Sequence, residues 1–542
     1  MSFGILDDRK LDNVPGTGLL SVKDKALTTD EARELKLGTG QYTHIVLIPQ
    51  PSDDPRDPLN WPPWKKEACF WTLVFASTIS EVLSSFASSA YVLLAEEFHV
   101  SVDDVASCFS AGYLGLAAFA LLQTPLAFKY GHRIIYLVST LVMFATCIWT
   151  SISPNLTSIR ASRVFQGFGR CAPQCLVGTT IEQLFFVHER GFRSSAWGTV
   201  IGSYVIQNLS WQVLFWLASI ACGLAFVGVF FFVPETTYHR QPSMISFTPT
   251  ISFTPTKHED EATDKDKGRN PIALSPNPPT FLSQIKIYSG TFSDESLWKS
   301  FLRQFMFILS PVTWFVFVGL SLPTLWKSLV SICSSTIFTV TYSFTAAQIG
   351  LTHLGGFVGI VLAMLITEPL NDRCIVWMSQ CNRGVYEPEF RLFFMLGMLF
   401  GVFGYVGWAV GNDNHMPWIG AVACYMTIYF SVVVSGGAAV GYLLDTHGAR
   451  SLHVLSLTHA AQDMVTYAST FFANGFVLAH GVKRSLLILG ACQAACGLAA
   501  GAMYVGGKRA RSFIARYPAL FSGDVSGSES GPCCPQSAPS KS

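Results

Sequence analysis

The chain has 542 residues, half of them hydrophobic and only 13% charged, with a mean hydropathy of +0.38. Ordinary soluble domains carry about 25% charged residues, so this chain cannot coat a water-soluble globule, and a net charge of +1 gives no electrostatic case for nucleic acid or an acidic partner. Residence in a lipid bilayer is the class that remains.

In chain order, residues 1–66 are polar, with Asp, Lys, Pro and Gly spread through them. They lack the basic start, short apolar run and small-residue cleavage site of a signal peptide, so they read as a cytoplasmic tail and the first apolar helix is its own insertion signal. A bilayer core of about 30 Å takes roughly 20 apolar residues per helix. Such stretches run at 68–94, 105–127, 134–153, 158–183 and 212–233, then at 311–340, 348–369, 392–411, 417–443, 454–479 and 485–507. A further stretch at 195–209 is short, about 15 residues and so roughly 22 Å. The first half, 67–234, and the second, 305–507, are separated by a polar, Pro-rich linker at 235–304. That linker holds a tandem hexapeptide, Ile245–Thr250 and Ile251–Thr256, and the charged run HEDEATDKDK at 258–267, and it reads as flexible. Residues 508–542 form a second polar tail.

Ionisable residues inside apolar helices are expensive and mark function by default. Glu81 lies within the first stretch, Arg163 and Arg170 within the fourth, Lys327 within the seventh and Asp463 within the eleventh. Two readings stand for Glu81 and Asp463: they bind a cationic amine or the coupling proton, or they serve interhelical bonding and snorkelling. Lys327 either pairs with one of them or repels a cation. Between the second and third stretches, Gly131 permits a tight turn and Arg133 can bond helix-end carbonyls or a carboxylate across the cytoplasmic face. Asn155-Leu-Thr157 is an acceptor sequon for glycosylation on an outer loop. Trp408, Trp418 and Tyr425 read as interfacial belt, and His447, His453 and His459 as packing residues. Of the 14 cysteines, Cys171 with Cys175 and Cys492 with Cys496 share helix faces but lack His or acidic companions, so no metal site is expected.

Lys and Arg flanking the stretches, from Lys65 and Lys66 to Lys508, Arg509 and Arg511, fall on one side if the chain alternates through twelve spans, with Lys483 and Arg484 as the main exceptions. That side is the cytoplasm. Omitting 195–209 would place the basic loops of the second half outside, so the charge pattern argues that the short segment crosses, or once did.

The loop Pro125-Leu-Ala-Phe-Lys-Tyr-Gly-His-Arg-Ile-Ile-Tyr136 resembles the G-x-L-x-D-R-x-G-R-[KR] signature of the major facilitator superfamily, with Phe128 and Lys129 in place of the Asp and Arg. Pro369-Leu-Asn-Asp372-Arg373, placed just after the eighth span, is its counterpart in the second half, as two related halves imply. Arg163-Val-Phe-Gln166-Gly-Phe-Gly169 is similar to the superfamily's R-x-x-Q-G motif, whose arginine is implicated in proton coupling. DPLNWPPWKK (57–66), LFFVHERG (184–191), NRGVYEPEFRL (382–392), SGGAAVGYLLDTHGAR (435–450) and STFFANG (469–475) resemble the fungal drug:proton antiporter branch, near its polyamine and cation transporters.

That resemblance implies an all-α facilitator fold of two six-helix bundles, rocking about a midplane site. Glu81, Arg163, Gln166, Lys327 and Asp463 are then the substrate or proton site, and Gly131, Arg133, Asp372, Arg373, Asp445 and Arg450 the gates. The implied activity is proton-coupled export of a small organic molecule by a monomer in the plasma membrane, with no cofactor and no enzyme chemistry. Polyamine or cation uptake is the alternative. The branch's glycine-rich fifth-span motif is missing after Arg193, where only Gly198 and Gly202 precede Trp211, so a transport-impaired protein is a further alternative. No GxxxxGK[ST] motif occurs that would support ATP-driven pumping.

Overall fold

The computed structural model describes residues 4–6, 14, 17–19, 57–85, 91–184, 211–237, 286–288, 290–292, 296–382 and 385–517. The short stretch at 195–209 and the linker's repeat and charged run lie outside the described residues.

The first half is built from α1 (Pro63–Ser85), α2 (Tyr91–Phe98), α3 (Val102–Phe109), α4 (Ala111–Tyr130), α5 (His132–Ser151), α6 (Leu156–Leu184) and α7 (Trp211–Phe232). A short helix, α8 (Leu297–Met306), leads into the second half. There follow α9 (Pro311–Val316), α10 (Leu322–Tyr342), α11 (Ala346–Cys381), α12 (Met398–Asp413), α13 (Trp418–His447), α14 (Ser451–Ser469), α15 (Ala473–His480) and α16 (Val482–Arg516). A π-helical turn, Phe317–Ser321, joins α9 to α10, and a 3₁₀ run, Pro388–Gly397, precedes α12.

Eight of the described helical segments are long and apolar enough to cross a membrane: Val102–Tyr130, His132–Ser151, Phe215–Phe232, Pro311–Tyr342, Gln348–Cys381, Pro388–Asp413, Trp418–His447 and Val482–Arg516. Each overlays one of the apolar stretches. The three stretches without a counterpart in that set belong to α1, α6 and the pair α14–α15, which carry Glu81, Arg163 with Arg170, and Asp463. Arg163, Arg170 and Asp463 are buried in these helices, and Glu81 is half-buried.

Three boundaries depart from the sequence reading. The second stretch is two helices meeting at Ser110, α3 and α4. The eleventh is broken at residues 470–472 between α14 and α15. Residues 369–373, read as a loop after the eighth span, are helical, because α11 runs through Pro369 to Cys381. A helical proline forfeits one backbone bond and kinks the helix without ending it where neighbouring groups satisfy the freed carbonyl.

The motif Arg163–Gly169 sits where α6 touches both α4 and α5. A Cβ on Gly167 would run into the Gly112 carbonyl and the backbone nitrogen of Leu116 on α4. Small residues at such crossings let helix backbones approach in lipid, where no hydrophobic drive pulls helices together. Before α1, Asp57 accepts from Leu59 N at 3.0 Å and Lys66 Nζ donates to the Leu59 carbonyl at 2.9 Å, so DPLNWPPWKK is a folded cap on the bundle. The described residues of the N-terminal tail dock on the second half: Gly18–Leu19 (β1) pairs antiparallel with Val385–Tyr386 (β2), and buried Ile5 packs with Met378 and Phe390.

Candidate functional site

Glycine is required at position 131, between α4 and α5. It has φ +88° and ψ 168°, a region essentially closed to residues with a Cβ, and a Cβ there would strike the Glu235 carboxylate and the Phe292 ring. Glu235 occupies that space because it caps α5, accepting from His132 N at 3.0 Å and Arg133 N at 3.3 Å; a carboxylate at a helix N-terminus satisfies orphan amides and opposes the dipole. Arg133, 1% exposed, donates to the carbonyls of Phe230 at 2.9 Å, Val233, and Lys286 at 3.0 Å. It therefore ties the end of α7 and a linker segment to the start of α5, the helix-end role that the sequence offered.

At the corresponding end of the second half, ion pairs form among other described side chains. Arg373 is exposed within α11, and the Asp372 side chain lies outside the described set. Asp445 of α13 takes Arg391 at 2.5 Å and the Tyr386 hydroxyl, while Arg391 Nε also reaches the Tyr386 oxygen at 3.0 Å. Burial holds the Tyr386 phenol above the usual tyrosine range, so it enters as a donor to Asp445. Arg511 of α16 forks onto Glu389 at 2.9 and 2.6 Å, and Lys508 meets Glu387 at 3.0 Å. Arg450 is exposed. Sequence reasoning used Arg391 and Arg511 only for orientation; the signal it passed over was three charges in the five residues Glu387–Arg391, immediately before an apolar run.

Arg163 is 1% exposed and turns into the first half instead of snorkelling. Its Nε donates to the Phe109 carbonyl and its Nη2 to the Leu83 carbonyl, each at 2.9 Å, and its Nη1 to Gln166 Oε1. Gln166 Nε2 in turn reaches Cys147 Sγ at 3.0 Å. Phe109 is the last residue of α3, so one guanidinium serves carbonyls at a helix break and near the end of α1.

Seven residues on, Arg170 belongs to a different group, at the seam between the halves. Its Nε donates to the Ser80 carbonyl at 3.1 Å, and it lies over the Tyr113 ring. Glu81 of α1 accepts from Gln174 Nε2 at 2.6 Å. From the second half come Lys327 of α10, 5.4 Å from the centre of the Tyr429 ring, and Asp463 and His459 of α14. Their charges influence one another across the seam: Lys327 feels Tyr429 and then Glu81, Asp463 feels Arg170 and then Glu81, and His459 feels Glu81. Each half thus supplies one acid and one base. Arg170 Nη2 and Asp463 Oδ2 are buried without a hydrogen-bond partner, which costs more than the roughly 1–3 kcal/mol of a neutral orphan.

The seam is bridged at both ends. At one, Asp103 at the start of α3 accepts from the backbone and side-chain nitrogens of Asn474, each at 3.0 Å, and from Gly475 N at 2.9 Å. A carboxylate of the first half therefore caps α15 of the second. At the other, Thr124 and Ser456 share a hydrogen bond, His453 stacks on Phe128 and Phe307, and Gln304 donates to the Leu121 carbonyl at 2.8 Å. Asn155 is exposed, and its side-chain oxygen caps α6 through Ser158 N.

Residues 73–449 match the model of the Major Facilitator Superfamily. The chain belongs to this superfamily. Among relatives of this facilitator are Protein HOL1 of Saccharomyces cerevisiae, 22% identical over 87% of this chain and 91% of the relative, and MFS-type transporter hepF of Aspergillus oryzae, 29% identical over 73% and 79%. Efflux pump radE of Floropilus chiversii is 23% identical over 68% and 66%. The facilitator's fold is similar to that of the proton:xylose symporter XylE, with a TM-score of 0.54 and 13% identity over 82% of this chain and 96% of that one. The human organic anion transporter MFSD10 gives 0.51 and 12% over 81% and 100%.

The protein is thus a multi-pass membrane transporter of the facilitator fold, not an enzyme. Of its expected site residues, Glu81 lies within electrostatic influence of both Lys327 and Asp463, whereas Arg163 and Gln166 form a separate knot inside the first half. Asp103 and Asn474 escaped the sequence reading, although Asn474 stood in a quoted segment, because nothing along the chain shows that residues 371 positions apart touch.

Proposed function

We propose that this facilitator is a proton-coupled exporter of a small organic molecule, of the drug:proton antiporter kind, working as a monomer in the plasma membrane. The observation that carries the reading is the placement of four ionisable side chains on helices of both halves, Glu81 and Arg170 from the first and Lys327 and Asp463 from the second, with Arg170 and Asp463 buried. A carboxylate facing a base across a moving seam holds the halves together when ionised and lets them part when a proton neutralises it. Asp463, 4% exposed with one unpaired oxygen, is the proton carrier in this scheme, and Glu81, steadied by Gln174, is the second acid. Arg163 acts on the proton step through the helix ends it holds and not by contact with the acids. Efflux pump radE, a relative of this chain, agrees in its name with outward transport. Uptake of a polyamine is disfavoured, since Lys327 and Arg170 would meet every cation that reached either acid.

The test is transport in proteoliposomes with an imposed pH gradient. Wild-type protein drives gradient-dependent flux of a fluorescent organic probe. Asp463→Asn, which is neutral at every pH, retains exchange of probe for probe and loses acceleration by the gradient. Gradient-driven flux at the wild-type rate in Asp463→Asn would remove the proposal.

A further inference from the structure

Away from the seam, a run of hydrogen bonds passes through the interior of the second half and joins three of its helices. Ser334 of α10 donates to the Ser331 carbonyl at 2.7 Å. Its oxygen stands 3.3 Å from Nε2 of His353 on α11, and Nδ1 of that ring is 2.9 Å from the Tyr425 hydroxyl of α13. Tyr425 is in turn 2.9 Å from the hydroxyl of Tyr429, one helical turn on. Lys327 of α10 lies 5.4 Å from the centre of the Tyr429 ring. Tyr425, read from the sequence as interfacial belt, is 0% exposed, and Tyr429 9%. Both rings lie against α11 because residue 356 is glycine: a Cβ there would stand 3.1 Å from Tyr425 Cε1 and 3.2 Å from Tyr429 Cγ.

Counting donors gives the run a direction. Ser334 has one hydrogen, spent on Ser331, so toward His353 it accepts, and the neutral imidazole carries its hydrogen on Nε2. Nδ1 then accepts from Tyr425, whose oxygen accepts from Tyr429, and Tyr429 keeps its own lone pairs for the surroundings that hold Lys327. A second proton on the ring makes Nδ1 a donor as well. Tyr425 then accepts from His353 and turns its hydrogen to Tyr429, which accepts and turns its own hydrogen outward. The ammonium of Lys327 meets the positive end of that hydroxyl in place of the negative one. The titratable side chains packed in the same cluster are Cys333 and Tyr342 of α10, Tyr405 of α12, and Cys424, Tyr425 and Tyr429 of α13. The acids Glu387, Glu389 and Asp445 belong to the opposite end of α11, where Asp445 is 20 residues, roughly 30 Å, along α13 from Tyr425.

We propose that His353 is a proton-binding site inside the second half, and that its charge sets the sense of the Tyr425–Tyr429 hydroxyl pair beside Lys327. The site needs no cargo and no movement of the halves, so it stands or falls apart from the export reading.

The test is pH-difference infrared spectroscopy of the full chain in nanodiscs, without cargo, between about pH 8 and about pH 5, the range that brackets histidine titration. Wild type should show imidazole protonation together with a shift of the tyrosine C–O band. His353→Gln supplies one acceptor and one donor, keeps the neutral sense of the run and cannot titrate there; the tyrosine shift should disappear. Tyr425→Phe interrupts the run, and should keep the imidazole signal of His353 while losing the tyrosine shift. Nitrogen-15 spectra of histidine-labelled protein give a second measurement: the resonance displaced by Tyr425→Phe should report hydrogen on Nε2 and a bare Nδ1 at the higher pH. No tyrosine shift in wild type, a shift undiminished in either variant, or a hydrogen on Nδ1 at the higher pH overturns the proposal.

Discussion

Arg133 and Arg163 meet the same difficulty, a guanidinium at or inside the bilayer, in the same way: each spends its donors on backbone carbonyls where helices end. Five donors in a rigid fork allow one side chain to serve several carbonyls, which a lysine cannot do. Arg163→Lys should therefore lower stability by about 1.5–3 kcal/mol for each bond lost, read as a fall in the thermal midpoint of the detergent-solubilised protein. An unchanged midpoint would show that the three carbonyl and amide contacts carry no energy. At Gly131, alanine has to adopt φ +88° and displace Glu235. Backbone strain alone is about 1–3 kcal/mol, so Gly131→Ala should unfold earlier than wild type in the same assay. Both positions were legible as unusual residues in the sequence. Their partners were not, because a carbonyl acceptor has no residue type and leaves no mark in a sequence.

Among the elements, the break between α14 and α15 matters most. It exposes the first amides of α15, and Asp103 from the other half takes them, so a helix terminus becomes a latch between bundles. Asp103→Asn keeps the shape and removes the charge at the helix N-terminus. It should weaken the latched end by about 1–3 kcal/mol, tenfold or more in the open population. Labelling of Thr336→Cys, beside Asn474, by an impermeant maleimide in a background free of other reactive cysteines should rise accordingly. Labelling equal to that of the parent would show that this end is held elsewhere. At the opposite end, Glu389 and Arg511 are 0% and 2% exposed. Glu389→Ala strands a buried cation and should destabilise by about 3–5 kcal/mol, with part recovered in the double variant lacking both charges; a single variant as stable as wild type would sink that account. The apolar stretches predicted where helices lie, since length and greasiness settle it. Breaks at 110 and 470–472, and helix continuity through Pro369, depend on tertiary partners and escape the same reading.

For the whole molecule, the apolar stretches were enough to assign a bundle of membrane helices. The pairing of the halves was not legible: Glu81, Lys327 and Asp463 were visible as costly intramembrane charges, but their gathering from both halves, with Arg170 among them, exists only once α1, α6, α10 and α14 are brought together. That gathering has an electrical consequence. On the proposed antiport cycle the carrier's own four charges cancel whenever both acids are ionised, so membrane voltage does no work on them in the stroke that carries no proton. One added proton restores a charge worth about 2.3 kcal/mol per 100 mV when carried across the full field. Voltage should then pull on loaded and unloaded strokes unequally, and current should flow only in the half of the cycle that carries the proton.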